Sequence, residues 1–246
     1  MPNSYFRFKQ FTVQQSAAAM KVNTDGVLLG AWADVQGATR ILDIGTGTGL
    51  IALMLAQRTS TALIDAVEID EDSARQAIEN AAASPWSERI RVFAAPFQSY
   101  MLSTADRYDL IVSNPPYFVD ALLPDKEQRL VSRHAASLPY DELIVGVNAL
   151  LTNFGRFCLI LPYAEGNVFI AKAALAGLYC TCKTNVCSTR EKPIKRLLLA
   201  FEREQAPLKE DTLHIHLPTK EVKNADIAAS YTSEYRALTK EFYLYF

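Results

Sequence analysis

Short apolar runs alternate with amphipathic stretches along this chain, in the order expected of a doubly wound α/β sheet. Phe6-Arg7-Phe8-Lys9-Gln10-Phe11-Thr12-Val13 alternates as a short strand suited to a sheet edge. Met20 to Trp32 reads as a short helix capped by Thr24 or Asp25. Arg40 to Ile44 is a buried strand that runs into Gly45-Thr46-Gly47-Thr48-Gly49, and Leu50 to Ala56 continues as a helix. Leu63 to Val67 is a second strand ending at Glu68. Glu71 to Ala83 is an alanine-rich helix broken by Ser84-Pro85-Trp86-Ser87, and Arg89 to Ala95 is a third strand. Asp109 to Ser113 is a fourth, stopped by Asn114-Pro115-Pro116 because neither proline can donate to a sheet ladder. Tyr140 to Leu151 carries Leu143, Val147, Leu150 and Leu151 on one helical stripe, and Asn153-Phe154-Gly155 turns the chain into strand Arg156 to Pro162. A helix over Phe169 to Leu178 and strands around Tyr179 to Val186 and Ile194 to Phe201 complete the sheet. Beyond them, Leu213 to Leu217 alternates as a strand with both histidines on one face, and Tyr235, Leu238, Phe242 and Tyr245 mark a segment docked on the core. One domain over residues 1–246 is expected, with a short extension of about 38 residues before the first strand of the sheet.

The order of strand, glycines, helix, strand and acid points to a nucleotide-like ligand. Glycines between a strand and a helix let a ligand approach the backbone closely, with amide donors and the positive helix end facing it. Glu68, about 20 residues further on at the tip of the adjacent strand, stands where such folds hold ribose hydroxyls. A dinucleotide loop wants its third glycine at Leu50, whereas this chain has it at Gly49; a phosphate loop wants a lysine, and none is present. Asp43 would repel phosphate and suits a ligand bearing an amine or a sulfonium.

Asn114-Pro115-Pro116-Tyr117 supplies the second half of the chemistry. The prolines hold the Asn114 side chain and the Pro115 carbonyl with little freedom, so two acceptors face a ligand together. An exocyclic amino group or a carboxamide offers two N–H donors to such a pair, and Tyr117 supplies a flat face for stacking. Phe118 to Ala136 has no strand pattern and is long for a connection, and Arg129 and Arg133 would share one helical face there. Those two arginines, and the cluster Arg190, Lys192, Lys195 and Arg196, are candidates for contact with RNA phosphates.

With 246 residues and a net charge of −2, the chain is not one that binds nucleic acid through bulk charge, which leaves local basic patches. No signal segment and no run of membrane-spanning length is seen, so a cytoplasmic protein is expected. Cys158, Cys180, Cys182 and Cys187 lack the paired spacing of a zinc knuckle and read as reduced structural thiols. His214 and His216 have no third ligand nearby in sequence, and no metal site is expected.

Leu42-Asp43-Ile44-Gly45-Thr46-Gly47-Thr48-Gly49 resembles the cofactor loop of class I methyltransferases, which use S-adenosyl-L-methionine. That resemblance implies a Rossmann-like, seven-stranded, mostly parallel sheet with helices on both faces. It makes Glu68 the ribose-binding acid and sets Ile69 beside the adenine. In such enzymes an acid commonly follows the third strand and contacts the adenine. Pro96 and Phe97 stand there instead, leaving Phe97 to stack or pack. Asn-Pro-Pro-Tyr after the fourth strand is shared by enzymes acting on adenine N6, guanine N2 and glutamine amide nitrogen. Phe6 to Phe11, Met20 to Trp32, Asn114 to Phe118, Arg133-His134 and Phe242-Tyr243-Leu244 closely resemble the bacterial tRNA1(Val) adenine-37 N6-methyltransferase family over nearly the whole chain. The implied cofactor set is Lys21, Thr24, Asp43, Gly45, Thr46, Gly47, Gly49, Glu68, Ile69, Phe97 and Asn114, with Lys21 to Gly26 closing over the cofactor. Asn114, Pro115, Pro116 and Tyr117 would grip the adenine of a tRNA. The alternatives are a glutamine N5-methyltransferase acting on protein, another RNA base methyltransferase, or an RNA-binding protein that keeps the fold without the activity.

Overall fold

A computed structural model of the protein describes residues 3–18, 20–116, 138–218 and 228–246. In chain order the elements are β1 (Tyr5–Arg7), β2 (Thr12–Gln14), α1 (Thr24–Trp32), β3 (Arg40–Ile44), α2 (Leu50–Arg58), β4 (Leu63–Glu68), α3 (Glu71–Ala82), β5 (Ile90–Ala94), α4 (Phe97–Ser103), β6 (Tyr108–Ser113), α5 (Tyr140–Leu150), β7 (Leu151–Pro162), α6 (Tyr163–Leu175), β8 (Tyr179–Cys187), β9 (Ile194–Glu202), β10 (Lys209–His214) and α7 (Ser233–Thr239). Among the described residues, eight strands form the main sheet in the order β10-β8-β9-β7-β6-β3-β4-β5. Among these eight, β9 alone breaks the parallel arrangement, running against both β7 and β8.

Alternation along the strands builds two cores. Ile41, Ile64, Leu110, Val112, Cys158 and Ile160 face α1, α2 and α7. Leu42, Ile44, Ile111, Phe157, Leu159 and Leu161 face α4, α5 and α6. Both faces are covered, which is why these strands read as continuous apolar runs. The strand order changes direction between β3 and β6, and ligands bind at such a switch beyond the carboxyl ends of the strands.

Several local expectations need correction. Phe6 to Val13 is a separate hairpin, because the chain turns between Phe8 and Phe11, whose rings stack 4.7 Å apart and bury together. Neither Thr24 nor Asp25 caps α1; Asn23 does, accepting from the Gly26 amide at 2.8 Å. Asn153-Phe154-Gly155 lies within β7 at a register shift against β6 rather than in a turn before it. A side chain at Gly155 would lie 2.8 Å from Leu151 Cδ1, so the irregularity depends on glycine. The helix placed at Phe169 begins at Tyr163, directly after Pro162. Its Gly166 lets the helix lie close on Leu197. The strand placed at Leu213 to Leu217 runs from Lys209 to His214 and adds an eighth member, parallel to β8, to the seven expected. The short α4 had no counterpart in the hydrophobic pattern.

Candidate active site

Register brings the two motifs together. Ser113, the last residue of β6, pairs with Ile44, the last residue of β3, and its hydroxyl donates to the Ile44 carbonyl at 2.9 Å. Asn114 therefore leaves the sheet beside Gly45. Ile44 pairs in turn with Val67, and Val67 with Phe93. The tips of β6, β3, β4 and β5 thus form a row along one edge, and a cavity of about 320 Å³ runs over it. This is the size of a small-molecule site.

The glycine turn is wired inward. Gly45 and Thr46 donate their amides to the Val67 carbonyl at 2.9 and 3.1 Å, and Gly47 donates to Glu68 Oε2 at 2.8 Å. These amides are therefore directed into the protein rather than at a ligand, contrary to expectation. Gly45, Gly47 and Gly49 all have positive φ, and a side chain at Gly45 or Gly47 would meet nothing within 4 Å, so the first two give a ligand room. Glu68 is buried and holds the turn with one oxygen, while the other accepts from the Asp70 amide at 2.9 Å.

Beneath the turn, the Thr46 hydroxyl donates to Asp43 Oδ2 at 2.6 Å and the Ala52 amide donates to it at 3.2 Å, while Oδ1 is buried with no partner among the described residues. Burial pushes the Asp43 carboxyl up to about 7; the two hydrogen bonds oppose the rise and the nearby Glu68 charge adds to it. Glu68, joined by Asp43 as pH rises through about 7, gives this part of the site a negative potential, which disfavours phosphate and suits a cation.

Of the residues singled out in the sequence, Lys21, Gly45, Thr46, Gly47, Glu68, Ile69, Phe97, Asn114, Pro115 and Pro116 line the cavity. Asp43 and Gly49 lie behind the lining, Gly49 capping α2 in the left-handed region. Thr24 is exposed and outside the lining, because the neighbouring Asn23 caps the helix and faces the cavity. Phe97 packs and lines at once: its ring is buried against Gly146 of α5, where any side chain would collide with it. Asp70, Ser73 and Gln98 also line the cavity and had not been singled out. Asp70 had a legible signal, since Asp-x-x-Ser opens a helix and its carboxylate accepts from the Ser73 amide at 2.9 Å.

Tyr117, Arg129 and Arg133 lie outside the described residues. Arg190, Lys192 and Lys195 are exposed in and beside the loop joining β8 to β9. Arg196 bonds Asp25 at the first turn of α1, Nε to Oδ2 at 2.9 Å. Pro162 pairs with Arg196, three residues beyond the level of Ser113 and Leu159, so this loop leaves the sheet at the same edge as the cavity. Two strand spacings, about 10 Å, separate β9 from β6. All four cysteines are free thiols, with Cys158 pushed up to about 12 and Cys180 to about 11 by burial. Among the described residues, no three histidine, cysteine or acidic side chains are placed to hold a metal, and no helix is long and apolar enough to cross a membrane.

Residues 20–147 match the methyltransferase small domain family. The chain is 47% identical to the tRNA1(Val) (adenine(37)-N6)-methyltransferase of Trichodesmium erythraeum, with 99% of each chain covered. It is also 47% identical to the protein of that name from Bacteroides thetaiotaomicron, covering 100% of this chain and 99% of that one. Its fold is similar to that of a predicted O-methyltransferase from Agrobacterium tumefaciens at a TM-score of 0.67 and 19% identity, covering 89% of this chain and 96% of that one. A ribosomal protein L11 methylase from Lactobacillus delbrueckii subsp. bulgaricus superposes at 0.54, with 19% identity over 78% of this chain and 84% of that one. With a glycine turn and an Asn-Pro-Pro tip facing one cavity at the switch point of a wound sheet, and with these full-length relatives, the chain belongs to the tRNA1(Val) (adenine(37)-N6)-methyltransferase family of class I, S-adenosyl-L-methionine-dependent methyltransferases.

Proposed function

We propose that the protein transfers a methyl group from S-adenosyl-L-methionine to the N6 amino group of adenine-37 in the anticodon loop of tRNA1(Val), in the cytoplasm. The observation that carries this reading is the Ser113 hydrogen bond to Ile44, which sets Asn114 beside the glycine turn over one cavity. The residues present fit the cofactor. Gly45 and Gly47 leave room for it, Glu68 stands where sugar hydroxyls would be held, and the carboxylates of Asp43 and Glu68 suit a cationic end.

S-adenosylmethionine, when bound, supplies a methyl group activated on a sulfonium. The side-chain oxygen of Asn114 and the Pro115 carbonyl accept from the two hydrogens of the substrate amine, turning its lone pair toward the methyl. Conjugation makes that nitrogen a poor nucleophile, so alignment supplies most of the acceleration. The amine becomes acidic only once it carries the methyl group, and no strongly basic side chain is required. The target base leaves its stack to enter the cavity and lies against Tyr117.

The whole chain acts as one methyltransferase unit whose first 38 or so residues close over the cofactor. Met20, Lys21 and Asn23 line the cavity, and the Asp25 to Arg196 ion pair holds α1 across the sheet edge. Arg190, Lys192 and Lys195, with Arg129 and Arg133, hold the tRNA backbone, while Arg196 steadies α1. The test is transfer of label from methyl-labelled S-adenosylmethionine, offered with total tRNA or with a release-factor protein. Label is expected as N6-methyladenosine in tRNA1(Val), and Asn114→Ala should abolish it while leaving cofactor affinity nearly intact. Label in the protein instead would make the enzyme a glutamine methyltransferase, and label in neither would leave an RNA-binding protein.

A further inference from the structure

β7 joins the catalytic tip to the basic loop. It pairs with β6 on one side, where Leu159 meets Ser113, and with β9 on the other, where Pro162 meets Arg196. Pro162 ends the strand three residues beyond Leu159, so Tyr163, the next residue, stands over the cavity edge one strand from Asn114 and roughly 10 Å away. Continued by one step, the antiparallel register brings Lys195 level with Tyr163, and Lys192 and Arg190 lie in the adjoining loop.

Two helices that start at this edge open on the same Pro-Tyr pair, and their rings have different fates. Tyr140 of α5 follows Pro139 and packs edge-on against Phe169, with 5.2 Å between ring centroids. Tyr163 of α6 follows Pro162 and is 47% exposed. A lone exposed aromatic is ordinary on a protein surface. An exposed ring between a catalytic tip and a group of cations is not, because single-stranded nucleic acid is held in this way, bases stacking on rings while phosphates meet the cations. Glu165, in the same turn of α6, acts toward Tyr140, so a phosphate backbone is steered to the Lys195 side.

We propose that Tyr163 stacks an unpaired base flanking the target nucleotide while Lys195 holds the adjoining phosphate, which makes this edge a second nucleotide subsite. The inference rests on the RNA reading above and adds to it a contact outside the cavity, with a base that is not methylated.

The test is filter binding of a stem-loop RNA with unpaired bases around the target adenine, beside a fully paired duplex of the same stem. Tyr163→Ala should weaken the stem-loop by about tenfold, the size of one lost base stack, and leave the duplex unaffected. Stacking releases no counterions, so the salt slope should stay as in the parent, whereas Lys195→Ala should make it shallower. Tyr163→Phe keeps the ring and should bind as the parent does. The Tm and the affinity for S-adenosylhomocysteine should not move in either Tyr163 variant, since the side chain is exposed and outside the cavity lining. Parent-like stem-loop binding by Tyr163→Ala, an equal loss on the duplex, or a Tyr163→Phe as weak as Tyr163→Ala overturns the proposal. A parent protein that does not bind the stem-loop takes down the RNA reading itself, and the subsite with it, so the two failures are distinguishable.

Discussion

Asp43 shows how much one buried side chain can decide. Its carboxyl is raised from 3.8 to about 7, first by burial, so the folded protein keeps a proton there that the unfolded chain releases over that interval. The stabilising contribution is therefore full in acid and is lost as pH rises through about 7. A cationic ligand favours the ionised form, so its binding should strengthen over the same range. Asp43→Asn can still accept from Thr46 and Ala52 but cannot ionise. In melts without ligand from about pH 5.5 to about pH 8, the Tm of Asp43→Asn should climb relative to the parent protein, and its cofactor affinity should lose its pH dependence. A Tm difference that stays constant with pH would show that Asp43 does not titrate in this range.

Elements reach the site through a few polar ties. Asn80 of α3, 2% exposed, accepts from the Gln14 amide at 2.8 Å and donates to the carbonyls of Gln14 and Thr48, both at 2.9 Å. It thereby joins the N-terminal hairpin to the glycine turn. Gln15 extends the tie by accepting from the Val22 amide at 2.9 Å, just ahead of α1. Asn80→Ala leaves the buried Thr48 carbonyl and two partly buried Gln14 backbone groups without this partner, a loss of about 2 kcal/mol. It should lower the Tm and, because Thr48 lines the cavity, weaken cofactor binding severalfold. The check is a melt beside a cofactor titration, and a lower Tm with unchanged affinity would mean that the hairpin does not position the turn.

For the whole molecule, the net charge of −2 conceals a local arrangement. The loop bearing Arg190 and Lys192, with Lys195 just after it, leaves the sheet at the cavity edge, and the proposed contact with tRNA phosphates is tested there. Neutralising these three residues together should make the salt dependence of tRNA binding shallower, by about 0.7–0.9 in log–log slope for every phosphate that is no longer neutralised. Filter binding across a salt series reads this directly. An unchanged slope would return the three to the solvated surface. Arg196 stays out of the set, since its ion pair with Asp25 would confound the measurement by loosening α1.

Local order was legible because it follows from local rules. Apolar runs, the glycines after Ile44 and the prolines after Asn114 mark β3, α2 and β6 within a residue or two, since neighbours in sequence decide where a strand can continue. The resemblance of the motifs carried the family. What needed three dimensions was anything set by register or by an opposing element. The inward wiring of the glycine amides depends on Val67 and Glu68 lying alongside, and the turn after Phe8 depends on a shared core. The bulge at Gly155 depends on packing that no propensity records, whereas Asn23 was open to the sequence as the cap of α1, since Asn is a stronger N-cap than Thr. Gln98 is the sharpest case: from sequence it is one polar residue in a short helix without a period, and only the tertiary structure sets it on the cavity wall with its amide on Glu142 of α5.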